Sequence, residues 1–120
     1  MTLVPGTSVV VSNGLGTSYP IWFTGLVRDQ QVVSTEAGTS YLSATAPITG
    51  TVTSITGYTA HAGDIVRFWS TNSQTFVSHT NIAGSWSNGG LTNILRIGEG
   101  FVLVSPNAYV WTNNWTTMAP

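Results

Sequence analysis

Short runs rich in Val, Ile, Thr, Tyr, Phe and Trp follow one another along this chain, separated at close intervals by Gly, Pro, Asn and Ser. Branched and aromatic side chains fit a pleated sheet, and turn-formers between such runs mark strand ends. The pattern predicts strands near Ser8–Ser12, Ile21–Arg28, Gln31–Thr35, Ser40–Ala44, Thr49–Thr56, Asp64–Thr71, Thr75–His79, Thr92–Ile97, Phe101–Val104 and Ala108–Thr112. No stretch reads as an amphipathic helix, so little or no helix is expected. Asn13-Gly14 suits a turn, because both residues tolerate positive φ. Arg28-Asp29-Gln30 and Gly98-Glu99-Gly100 read as hairpin tips, and Ser105-Pro106-Asn107 as a turn into the last strand. Many short strands at close spacing argue for an antiparallel β-sandwich or jelly roll, with a small β-barrel as the alternative.

A strand with one wet face alternates apolar and polar residues. Val9-Val10-Val11, Ile21-Trp22-Phe23 and Phe101-Val102-Leu103-Val104 are apolar at successive positions instead, and Ile65-Val66 and Phe68-Trp69 flank Arg67 in the same way. With no helices to cover a second face, a further copy of the chain is the economical cover. This predicts a homo-oligomer, a trimer being favoured, with an interface drawn from Ile21, Trp22, Phe23, Trp69, Phe101, Leu103, Trp111 and Trp115.

Composition sharpens the picture. Charged residues make up 6% of the 120, where a typical soluble domain carries about 25%. There is no lysine, and Arg28, Arg67 and Arg96 are the only basic side chains. A phosphate backbone has almost nothing to bind, so nucleic acid is not an expected partner. The surface must be Thr, Ser, Asn, Gln, Gly and apolar groups, which suits a protein packed against copies of itself or a larger partner. Cysteine is absent, which removes disulfides, thiolate metal sites and a Cys nucleophile. The length suits one all-β domain over residues 1–120, with extended arms expected at 1–7 and 112–120. Met1–Ser12 has neither a basic start nor a long apolar run, so no secretion signal is expected, and no run approaches the about 20 apolar residues of a membrane span.

The acid–base inventory is Asp29, Glu36, Asp64, Glu99, His61 and His79. Asp29 and Glu99 on hairpin tips read as solvated. Asp64, just after Gly63 at the start of a strand, is placed to bond nearby backbone N–H groups. His61, Asp64 and His79 are residue types that bind metals, but their spacing is not that of a metal site, and no metal or cofactor is expected. There is no Gly-x-Ser-x-Gly elbow; Gly84-Ser85-Trp86-Ser87-Asn88-Gly89-Gly90 only approaches one. A phosphate-binding loop needs the lysine this chain lacks. An enzyme is therefore not expected. Gly-Thr-Ser recurs at Gly6–Ser8, Gly16–Ser18 and Gly38–Ser40, but without the fixed period of a repeat fold.

The uncharged polar and aromatic residues point to one further chemistry. Aromatic faces stack on the C–H groups of a sugar while amides bond its hydroxyls. Trp86, Asn88, Asn113, Asn114 and Trp115 are candidates for such contacts. In composition the chain resembles the small β-structured cement or decoration proteins of bacteriophage capsids. Those proteins are commonly trimeric and bind outside a shell where capsid subunits meet. The resemblance is one of class, without matched motifs, so it carries no residue roles. It implies a viral structural protein on the capsid exterior, made in the host cytoplasm. Its partners would be itself and the major capsid or another virion protein, with no membrane insertion. The alternative is a carbohydrate-binding, lectin-like module, either in a tail or spike that binds a receptor or as a cytosolic lectin.

Overall fold

The computed structural model describes residues 8, 11–14, 16–18, 20, 31–44, 47–88 and 91–112. The expected strand Ile21–Arg28, the interface residues Ile21, Trp22, Phe23 and Trp115, and the arms apart from Thr112 lie outside the described residues. The chain is mostly β, and among the described residues every strand pair is antiparallel. In chain order the elements are β1 (Val32–Thr35), β2 (Gly38–Ser43), β3 (Gly50–Thr51), α1 (Val52–Thr56), β4 (Ile65–Ser70), β5 (Thr75–Ile82), β6 (Ser85–Trp86), β7 (Ile94–Leu95), β8 (Gly100–Ser105) and β9 (Tyr109–Thr112). A five-stranded sheet runs β2-β8-β4-β5-β6, beside two-stranded pairs β1-β9 and β3-β7. Among the described residues the large sheet ends at β2 and β6 and does not close into a barrel.

Strand alternation gives that sheet two faces. Leu42, Phe101, Leu103, Val66 and Phe68 point inward to the core, where they join Val33 and Trp111 of β1-β9, Val52 and Ile55 of α1, Leu95 of β7, and Tyr58. Phe101 and Leu103, expected at an interface, are core residues of this chain, and so is Trp111. The outer face carries Tyr41, Val102 and Arg67 in one row across β2, β8 and β4. Val102 keeps 6% of its surface, with Tyr41 and Arg67 directly beside it. A single chain thus buries both faces of β8.

Three local expectations change. Thr49–Thr56 is not one strand: β3 covers Gly50–Thr51 and the chain then turns into α1. The Thr51 hydroxyl accepts from the Ser54 N–H at 3.3 Å, and Gly57, at φ 74°, closes the helix by donating its N–H to the Thr53 carbonyl. Val52 and Ile55 are three residues apart, so a strand would send them to opposite faces, whereas one helical turn sends both into the core. The Gly98–Gly100 turn is real but makes no hairpin, because β7 pairs with β3 while β8 pairs with β2 and β4. There the Glu99 carboxylate accepts from the Arg96 N–H at 2.8 Å. Finally, β5 extends to Ile82 and doubles back into β6, a segment expected as loop. Ala83 (φ 51°) and Gly84 (φ 93°) form the two-residue connection, with the positive φ at both central positions that a primed hairpin turn demands.

The β3–α1 junction is tight. A Cβ on Gly50 would stand 2.6 Å from Ile55 Cγ2 and 2.6 Å from Ser54 Oγ. Ile55 is buried, so it can yield only by disturbing the core. Gly50→Ala is expected to cost about 1–3 kcal/mol, read as a lower urea midpoint at unchanged slope. An unchanged midpoint would mean that Ile55 moves without loss.

Candidate functional site

Among the described residues the most buried ionisable group is Asp64, fully inaccessible just ahead of β4. Its Oδ2 accepts from the Tyr58 hydroxyl and from the His61 N–H at 2.9 Å, and its Oδ1 from the Tyr109 hydroxyl at 3.1 Å. The Ser105 hydroxyl also bonds to it. Burial pushes the Asp64 pKa upward, but these bonds from Ser105, Tyr58, His61 and Tyr109 outweigh it and hold the carboxyl below its usual range. Burial, and then the bond to Asp64, push the Tyr58 hydroxyl the other way, well above the usual phenol range. Main-chain bonds extend the hub to β5: Asn81 N–H donates to the Asp64 carbonyl at 2.8 Å and Gly63 N–H to the Asn81 carbonyl at 2.9 Å. The expected bonding of Asp64 to a nearby backbone N–H is therefore found, with three hydroxyls that sequence order did not reveal. They come from positions 58, 105 and 109, which only the folded chain brings together. Asp64 is saturated by donors, so it acts as a structural clasp between the α1–β4 loop, β8 and β9.

The other titratable candidates are scattered. His61 stacks on Tyr109 with ring centroids 4.8 Å apart, while His79 sits on β5 and meets Phe68 edge-on at 5.7 Å. Among the described residues, no three His, Cys, Asp or Glu side chains gather into a metal-binding group. Asp29 lies outside the described residues.

One exposed apolar patch lies on the outer face of the five-stranded sheet, while Val32, Ile94, Ile97 and Val110 are exposed elsewhere. Trp69 and Phe76 are directly opposed across β4 and β5, edge-to-face at 5.2 Å, yet remain 49% and 41% exposed. Tyr41, on the β2 edge of the same face, is 47% exposed. Arg67 is the one charged side chain among the described residues of this face, and its Nε is buried without a hydrogen-bond partner. Such an aromatic, nearly charge-free surface has the composition of an interface core rather than of ordinary solvated sheet. Trp69 was legible in the sequence as an interface candidate, whereas Phe76 was not singled out. The signal that pairs Phe76 with Trp69 is the β4–β5 hairpin register.

Of the sugar-contact candidates, Trp86 is half-buried against the core on the short edge strand β6. Asn88 follows it with φ 55°, a left-handed conformation that Asn tolerates, and its Nδ2 donates to the Ser78 carbonyl at 3.0 Å. Asn88 also lines an open cleft at the β4–β5 end of the inner sheet face. Asn113, Asn114 and Trp115 lie outside the described residues. The structure therefore brings Asn88 together with residues that were not candidates, Asn93 and His79 among them. Among the described residues no helix is long and apolar enough to cross a membrane. Comparison of the chain with protein-family models, curated proteins and solved structures returns no match.

Proposed function

We propose that this chain is a structural virion protein, a bacteriophage capsid decoration or cement protein that stabilises a shell from outside by association alone. In this reading the antiparallel sheets belong to a β-sandwich of the jelly-roll kind. The observation that carries the proposal is the exposed Trp69–Phe76 pair on an outer face with one charged side chain. Large aromatic side chains left half in water lose that exposure when a neighbour covers them, at about 25 cal/mol per Å² before association costs. The working partners are further copies of the chain, a trimer being favoured, and the capsid protein beneath. Contacts so poor in charge are expected to depend only weakly on salt.

Light scattering across a dilution series tests the association. The expected mass is three times the 12.7 kDa chain, holding into the micromolar range. Trp69→Lys, which puts a charge into the aromatic pair, is expected to weaken association about 30-fold or more, the scale of an interface hot spot. A monomer at micromolar concentration, or a Trp69→Lys oligomer as tight as the parent, would count decisively against this surface. The second reading, a carbohydrate-binding module, is favoured by a different observation, the uncharged cleft that Asn88 lines.

A further inference from the structure

We propose that the cleft at the β4–β5 end of the inner sheet face is a binding site for a neutral saccharide, an inference that rests on the second reading above and moves its site. The cleft holds about 370 Å³, within the roughly 300–1,000 Å³ of small-molecule sites. Phe68 and Val77, opposed across β4 and β5, supply its apolar part, and Asn88 and Asn93 supply amides from two separate loops. Among the described residues no Asp, Glu, Lys or Arg lines it. A phosphate or carboxylate ligand would find no cation there, whereas a sugar ring presents apolar C–H faces and a rim of neutral hydroxyls.

Two amide groups are set for such a ligand. The Asn88 amide is held in place by its Nδ2 bond to Ser78, which leaves Oδ1 to accept from a hydroxyl without further ordering cost. Asn93 is exposed and makes no side-chain hydrogen bond among the described residues, so its donors and acceptor are both open. His79 forms part of the wall while keeping only 4% of its surface. Its Nδ1 lies 3.3 Å from the Ser87 carbonyl, which can only accept, so the proton of that contact sits on Nδ1. Its Nε2 is buried without a hydrogen-bond partner and out of reach of a ligand in the open cleft. Trp86, Asn113, Asn114 and Trp115 are not needed for this site; Asn88 is the one earlier candidate that belongs to it.

The test is a titration of the full chain with neutral methyl glycosides of common hexoses and N-acetylhexosamines. It is followed by isothermal titration calorimetry, which needs no reporter side chain in the cleft. At least one glycoside is expected to give a saturable binding isotherm. Asn93→Ala is expected to weaken that glycoside about tenfold, and Val77→Phe, which fills the cleft from an exposed strand position, to abolish binding. Both variants should keep the parent's melting temperature and its mass in solution. A glycoside that binds the parent and both variants equally would overturn the cleft as the site and leave sugar binding standing elsewhere. No response to any glycoside would overturn the cleft and the carbohydrate reading together. Neither outcome bears on the association of the outer face, which is read separately by mass.

Discussion

Asp64→Ala is expected to lose about 3–5 kcal/mol of folding free energy, a fall of roughly 10–20 °C in melting temperature for a domain of this size. The loss comes from the groups left behind. Tyr58, Ser105 and Tyr109 hydroxyls and the His61 N–H all turn toward the carboxylate, and alanine offers none of them an acceptor. A buried donor with nothing to bond costs about 1–3 kcal/mol, and water reaching some of the four limits the sum. Thermal denaturation of the purified variant checks the value, and a loss below about 1 kcal/mol would show that the hub is not a clasp.

The same hub predicts an acid limb. The folded Asp64 pKa lies below its unfolded value, near 3.9 for an unperturbed Asp. Its contribution is therefore complete above about pH 5 and drains away as pH falls through 3.9 toward the folded value. Asp64→Asn keeps the shape, removes the titration, and should flatten the acid limb of melting temperature against pH. The chain has four Asp and Glu residues in all, so one of them is a readable share of the acid response. Parallel acid limbs for parent and Asp64→Asn would refute the assignment.

Leu103→Ala carries the second large effect. Leu103 is 1% exposed on the inner face of β8, an interior strand of the sheet, between Ser40 and Val66 in register. Truncating it removes a fully packed side chain and leaves a cavity, expected to cost about 2–5 kcal/mol. The measurement that matters is the dependence on protein concentration. A core residue lowers the unfolding midpoint equally at every dilution, whereas an interface residue shifts the concentration at which the oligomer dissociates. Leu103→Ala is expected to do the first and Trp69→Lys the second. A Leu103→Ala protein of parental stability but weakened association would reverse the roles given to the two faces.

That contrast marks what could be read in advance. The run Phe101–Val104 announced a strand covered on both sides, and β8 is one. Nothing in the run says whether a second copy or a neighbouring strand does the covering. Tyr41 and Arg67 come from distant parts of the chain and meet Val102 only through the register of β2 and β4. Thr49–Thr56 misled for a different reason. Its branched residues favour a strand, but the cap at Thr51, the left-handed Gly57 and the burial of Val52 with Ile55 reward a helical turn. The β5–β6 hairpin was hidden because Ala83 does not advertise the positive φ it adopts. Asp64 was readable as a backbone-bonding carboxylate from its place after Gly63, while its hydroxyl partners were not.

Local chemistry, written in neighbouring residues, determined the all-β class, the places of most strands, the scarcity of charge and the standing of Trp69 as an interface candidate. Tertiary structure alone decided which apolar residues are core and which are surface, because strand order and register set which face each side chain takes and what lies beside it. It also decided the two polar constellations, the Asp64 clasp and the Asn88–Asn93–His79 cleft. Each is assembled from residues on separate loops and strands, whose proximity follows from chain closure rather than from spacing along the sequence.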